Sequence, residues 1–397
     1  MYLCFFNHKK MEAVKHEKLK GMEEYPLMDT TEGIVLFHPH IPRNAKLKVG
    51  EVLDTRWIGQ GPKVEIFEKK FNSMFGGNGA SVATGSGTDA LHLAYILAGL
   101  QEGDEVIAPL FTCTATNIPF LYMGVKIRFA DIQPHTLNID PLQVEKLITK
   151  KTKAIVCVHY GGLPCDMDEL LKISIKYNIP IIEDAAHALG ATYKGKTVGS
   201  ISDFTMFSFQ AIKHITTGDG GMLILKDPDL VAKAHRVRWF GIDRLAKQQG
   251  HWENDIKEVG YKYQMTDIAA ALGLEGLSEL DEILAHRRKL LSRYEKNLEG
   301  VSGVRLIGAG YTDREHAAWL CTVEVDNREN LMRWLRENKI ESGQVHYRND
   351  RYSIFGVNDE IFPAMDRMED RYLVLPLHTR MGVDDVDYVC NTIKKGW

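Results

Sequence analysis

The sequence predicts an α/β protein in which a large domain on a mostly parallel sheet precedes a smaller α+β domain. Three observations predict it. Between residues 80 and 225, short apolar runs alternate with helix-length stretches, the rhythm of strand–helix–strand units. The apolar runs are nearly continuous, as expected of strands covered on both faces. Beyond about residue 265 that rhythm gives way to a long helical pattern and then to a few mixed elements.

The 397 residues suffice for two such domains. Residues 1–30 are polar, lysine-rich and weakly patterned, and read as an extension outside the main fold. Residues 31–275 form the large domain and 276–397 the small one. Strands are expected at SVAT (81–84), EVIAPL (105–110), KIRFADI (126–132), KAIVCVHY (153–160), IPIIEDA (179–185), FTMFSF (204–209) and GMLIL (221–225). Helices are expected at 88–100 and 167–177, and a long helix or helix pair after 265. In the last domain TVEVD (322–326) reads as a strand, with helices at 328–339 and 384–395.

The formal net charge of −4 gives no bulk attraction to nucleic acid or to an anionic membrane, so an anionic ligand must be met by a local site. Six scattered cysteines include no C-x-x-C pair and no Cys/His spacing typical of zinc, so free thiols and no metal are expected. The start, MYLCFFNHKK, has its charges after a short apolar run, the reverse of a secretory signal. No window is long and apolar enough for a membrane span. A cytoplasmic protein is expected.

Three segments carry chemistry. In ATGSGTDALHLA (83–94) a strand ends, glycines turn the chain and a helix starts at Thr88. Such a turn points backbone N–H groups at an anion; Gly85 and Gly87 permit close approach and Thr88 adds a hydroxyl. The run also matches G-x-G-x-x-A, but the acid a dinucleotide ribose needs after the next strand is missing: Asp104 and Glu105 precede that strand. A plain tight turn is the other alternative. In IPIIEDAAHALGA (179–191) a buried strand ends in Glu183-Asp184, where a carboxylate must be paired or used. Asp184 suits a protonated pyridine nitrogen, with a helix N-cap as its alternative. His187 is either a group beside that ring or a satisfied core histidine. In FTMFSFQAIKHITTGDGGMLIL (204–225), Lys213 sits among apolar and small residues that lower an amine pKa and favour attack on an aldehyde. Its alternative is an exposed loop lysine. Ser208, at a strand end, can join the phosphate site. A phosphate cup, a pyridinium partner and a Schiff-base lysine are together the fixed needs of pyridoxal 5′-phosphate (PLP).

From about residue 33 to the end the chain resembles the DegT/DnrJ/EryC1/StrS family of PLP-dependent sugar aminotransferases, within the aspartate-aminotransferase fold type I. The stretches that carry the resemblance include WIGQGPKVEIFEKKF (57–71), GSGTDALHLA (85–94), DEVIAPLFTCTATN (104–117), VHYGGLPCDMDEL (158–170), IIEDAAHALGA (181–191), FSFQAIKHITTGDGGML (207–223) and GYKYQMTDIAAALGLEGL (260–277). The resemblance implies Lys213 as the Schiff-base lysine, Asp184 as the partner of the pyridine nitrogen and His187 beside the ring. It implies Gly87, Thr88 and Ser208 as phosphate ligands. Lys262 stands where many members have an asparagine that reaches the phosphate of the neighbouring subunit, and the active site is shared across a homodimer. Cys113 stands where an aromatic often stacks on the cofactor, Gln210 where histidine is frequent and Gln264 where arginine is frequent. The segment 346–355 corresponds to a substrate-facing loop, with His346 and Arg348 read as sugar-nucleotide contacts. The implied reaction moves an amino group from glutamate to a keto sugar bearing a nucleotide. A branch with histidine in place of the lysine carries out 3-dehydration; that activity, and a non-catalytic PLP-binding regulator, are the alternatives.

Overall fold

The computed structural model describes residues 27–253, 255–356 and 360–397. The extension expected at 1–30 lies outside the described residues up to 26. Residues 27–30 belong to the fold: Met28 is buried and its N–H donates to Glu341 Oε1 at 3.3 Å.

Seven strands build the main sheet: β1 (Ala80–Thr84), β2 (Glu105–Pro109), β3 (Lys126–Ala130), β4 (Thr152–Val158), β5 (Ile181–Asp184), β6 (Phe204–Ser208) and β7 (Gly221–Leu225). Their order is β1-β7-β6-β5-β4-β2-β3. The pairs β6–β5, β5–β4, β4–β2 and β2–β3 are parallel, and only β7 runs against its neighbours. Nearly every side chain of these strands is buried, which accounts for their apolar runs.

Both faces of the sheet are covered. The helix Gly87–Leu97 turns Ala90, Leu91, Leu93, Ala94, Tyr95 and Leu97 inward against Val82, Met206 and Leu223. On the other face Phe67, Phe71, Phe75, Phe207 and Phe209 pack edge to tilted face, with ring centroids 4.8–6.1 Å apart.

The small domain holds a second sheet, β8 (Val304–Leu306), β9 (Cys321–Val325) and β10 (Tyr372–Leu375), in that order and antiparallel. The helix Leu280–Leu298 lays Leu280, Ile283, Leu284, Leu290, Tyr294 and Leu298 along one side, the spacing of an amphipathic helix facing a core. Residues 34–36, placed by the sequence in the large domain, dock on the small one. Ile34 bridges Ile340, and the Leu36 N–H donates to Glu341 Oε2 at 2.7 Å. That pairing is between residues some 305 positions apart, a separation no local pattern reveals. Among the described residues no helix is long and apolar enough to cross a membrane.

Candidate active site

The parallel strands all end on one edge of the sheet, and a cavity of about 720 Å³ opens there, within the ~300–1,000 Å³ range of small-molecule sites. Ligand sites of open α/β sheets sit at this edge because loops and helix starts converge on it.

After β1 the chain turns through Gly85, whose N–H donates to the Tyr263 carbonyl at 2.7 Å, into the helix at Gly87. Ser86 is the N-cap, its hydroxyl accepting from the Asp89 N–H at 3.0 Å. The sequence places this start one residue later and overlooks the cap. Gly87 lies against Ser208 at the end of β6: a Cβ on Gly87 would stand 3.0 Å from Ser208 Cβ and 3.2 Å from its Oγ. Gly87, Thr88 and Ser208 all line the cavity. Unpaired N–H groups, two hydroxyls and a positive helix end at such a point suit a phosphate.

Asp184 ends β5, 4 % exposed, at the wall of the same cavity. Its Oδ2 accepts from the Thr116 hydroxyl at 2.7 Å and its Oδ1 from the Ala186 N–H at 3.1 Å. No helix begins after it, so it is not a helix N-cap. Burial pushes its carboxyl up; Thr116, Ala186 and the Lys213 charge pull it down. Glu183 faces the opposite side, fully buried and bonded to His159 Nε2 at 2.7 Å. Thr116 escaped the sequence reading, although it lies in the TCTATN run.

Lys213 points into the cavity between these groups. Among the described residues no hydrogen bond or carboxylate pairs its amine; Nζ lies 3.6 Å from the centre of the Trp319 ring. Burial pulls the amine down to about 8, with Asp184 and Cys113 opposing. His187 is stacked on Trp319, centroids 3.8 Å apart and planes at 19°, with His346 parallel on it at 5.3 Å. The Gly161 N–H donates to His187 Nδ1 at 3.3 Å, so the neutral ring carries its proton on Nε2. Burial and the Lys213 charge hold His187 well below the usual histidine range. Cys113 lines the cavity as a free, exposed thiol.

The structure does not bring Arg348 or Lys262 to this cavity. Arg348 was expected at the sugar nucleotide, yet it is 1 % exposed and its guanidinium is spent on Asp350, Asp366 and Glu369. Three carboxylates surround it, and the chain beside it is pinned by the Asn349 N–H to the Leu110 carbonyl at 2.6 Å. Lys262 lies elsewhere, its amine 3.8 Å from the Trp239 ring centre. A cluster that spacing did not signal also forms: Cys157, His159 and Cys165 hold ligand-type atoms within 4.8 Å of one another. His159 Nδ1 accepts from the Cys165 N–H at 3.1 Å, and the Cys165 thiol donates to the Val158 carbonyl at 3.1 Å.

PLP fits these residues. A buried carboxylate with no cationic partner in contact faces the space where a pyridinium would lie; a free, depressed amine stands beside it; a helix start awaits the phosphate. The fold and site define a PLP-dependent aminotransferase of fold type I. The family model described as the DegT/DnrJ/EryC1/StrS aminotransferase family matches residues 39–394, and the chain belongs to that family. It is 33 % identical over 368 residues to the GDP-perosamine synthase of Escherichia coli O157:H7, covering 91 % of this chain and 98 % of that one. It is 32 % identical over 384 residues to the UDP-4-amino-4-deoxy-L-arabinose--oxoglutarate aminotransferase of Shewanella sediminis, covering 92 % and 98 %. The crystal structure of the sugar aminotransferase CalS13 from Micromonospora echinospora superposes with a TM-score of 0.87 at 33 % identity, covering 92 % of this chain and all of that one.

Proposed function

We propose that this enzyme moves an amino group from glutamate to a keto-sugar nucleotide, at C4 of a 4-keto-6-deoxy sugar, for deoxyamino-sugar and surface-polysaccharide synthesis. The observation that carries the reading is the unpaired Lys213 amine held in one cavity with the Asp184 carboxylate and the Gly87 helix start. The names of the two relatives, one a GDP-sugar and one a UDP-sugar enzyme with oxoglutarate as counterpart, support the substrate class and the donor.

When bound, PLP supplies an aldehyde for amines and a protonated ring that takes up the electron pair left at a deprotonated carbon. The Gly87 N–H and the Thr88 and Ser208 hydroxyls hold the phosphate. Asp184 keeps the proton on the pyridine nitrogen, and the Thr116 hydroxyl fixes that carboxylate's orientation. Lys213 would hold the cofactor, and its amine, once free, would take the proton from the donor Cα and carry it across the site. An amine near 8 has a neutral fraction at physiological pH and is still basic enough for that task. His187 and His346 present neutral ring edges to the site, His346 toward the sugar. Lys262, whose amine lies over Trp239 outside the cavity, is assigned to the phosphate site of a neighbouring subunit in a homodimer with shared sites, a role that rests on the family resemblance alone.

Incubation of the purified protein with glutamate and a panel of GDP-, UDP- and dTDP-linked 4-keto sugars, read by mass spectrometry, tests this. An amine in place of the ketone on one member is the expected product. A deoxygenated sugar would make the enzyme a dehydratase, and no product with any member would favour the regulatory alternative.

A further inference from the structure

Trp319 has no role in the account above, yet its ring centre lies 3.6 Å from the reactive amine. It is 1 % exposed and is presented by a heavily constrained piece of backbone. The residue before it, Ala318, has φ +55°, a left-handed conformation that an alanine adopts only under constraint. The constraint is visible. Arg287, 3 % exposed and paired with no carboxylate among the described residues, donates to the carbonyls of Ala318, Trp319 and Leu377 at 2.8–2.9 Å. The Trp319 N–H donates to the Gly161 carbonyl at 3.0 Å, and His214 Nε2 bonds the Ala317 carbonyl at 2.8 Å. The indole Nε1–H donates to the Ile212 carbonyl at 3.1 Å, the peptide that leads into Lys213. One side chain thus grips the backbone before the lysine and offers its π face to the amine at 3.6 Å.

We infer that Trp319 is a positioning residue for Lys213, receiving its ammonium on the indole face whenever that amine is free of the cofactor. The inference rests on the role given to Lys213 above. A four-carbon side chain with a free charged end would otherwise sample many rotamers or be drawn to Asp184, a carboxylate that feels its charge. Resting on an uncharged π face keeps the ammonium near the cofactor without occupying the carboxylate that the pyridinium needs. The groups coupled to the amine are Asp184 at the end of β5, Cys113 just before the helix Thr114–Tyr122 that follows β2, and His187, His346 and His214, the three histidines all pushed toward neutral by burial. None of them is a fixed cation, so the indole adds its effect to a site otherwise governed by desolvation.

The test uses cofactor-free protein. Acetylation of Lys213 by limiting acetic anhydride, followed across pH by peptide mass spectrometry, gives the midpoint of that amine. Trp319→Leu should lower the midpoint by about one unit, and Trp319→Phe by about half as much, because a smaller π face still supports the ammonium. In the holoenzyme the Leu variant should lose about tenfold in kcat for the glutamate half-reaction, with KM for the sugar nucleotide unchanged and the Phe variant restoring most of it. A midpoint at or above wild type in Trp319→Leu overturns the inference, since plain packing would not move it downward. Should the Leu variant fail to fold by circular dichroism, an unshifted midpoint in Trp319→Phe overturns it equally. Borohydride treatment of wild-type holoenzyme separately asks whether Lys213 bears the cofactor. A missing adduct there would remove the cofactor role while leaving the acetylation result to decide what holds the amine.

Discussion

Replacing Lys213 by methionine should stabilise the cofactor-free protein, and by a pH-dependent amount. The amine has no hydrogen-bond partner among the described residues, and burial pulls it from 10.5 to about 8. That depression corresponds to about 3 kcal/mol at ~1.4 kcal/mol per unit. Lys213 is only partly shielded, since the cavity admits water, so about 2 kcal/mol is the reasonable expectation. The sign follows from the two states. Below about 8 the amine is charged in both, and the folded state bears the whole penalty of holding an ammonium out of water. Between about 8 and 10.5 the folded amine gives up its proton first, and the penalty shrinks as pH rises. Above 10.5 both states are neutral and nothing is left to relieve. Methionine has similar length and no charge, so it removes the penalty and keeps the packing. With unfolding entropy scaling with length, 2 kcal/mol is worth about 2–3 °C in Tm for a chain of this size. Thermal melts of the two cofactor-free proteins at pH 7 and pH 10 read this directly. A gain at pH 7 that fades at pH 10 is expected. No gain at pH 7, or the same gain at both, would show that the amine is not a desolvated base and would remove its fitness as the proton carrier.

Arg348→Ala should destabilise the protein by about 3–5 kcal/mol, because it leaves Asp350 buried without its countercharge. The protein that still folds should keep its KM for the sugar nucleotide; a selective rise in KM with unchanged stability would restore Arg348 to the substrate site. Gly87→Ala places a methyl 3.0 Å from Ser208 Cβ and 3.3 Å from Met206 Sδ. Equilibrium dialysis should show PLP retained at least tenfold more weakly, and full retention would mean that the phosphate sits elsewhere. Asp184→Asn keeps the Ala186 and Thr116 contacts in shape but removes the charge. Its absorbance titration should show a less readily protonated cofactor ring and its half-reaction should slow at least a hundredfold; wild-type spectra would limit Asp184 to a structural role.

The strands of the large domain were legible because each is a near-continuous apolar run whose residues are buried on both faces, as in IIED and GMLIL. The reactive groups were legible for the related reason that polar residues at the ends of such runs must be paired or used. Asp184, separated by Glu183 from the apolar IPII run (179–182), and Lys213 in the loop after FTMFSF stand out on those grounds. Arg348 was assigned to the sugar nucleotide from its place in the 346–355 loop, whereas Asp366 and Glu369 arrive from a later helix and its end to pair with it.

By itself the sequence determined the α/β class and the order of the strands along the chain, and it singled out Lys213, Asp184 and the Gly87 turn as candidates, because these depend on local periodicity and residue type. Only the tertiary structure decided that Trp319, 106 positions after Lys213 (319 − 213), lies under its amine. It likewise decided that Thr116 orients Asp184 and that residues 34–36 dock on the small domain. Those contacts join segments whose separation exceeds any helical or strand period, so they follow from how distant parts of the chain pack and leave no periodic trace in it.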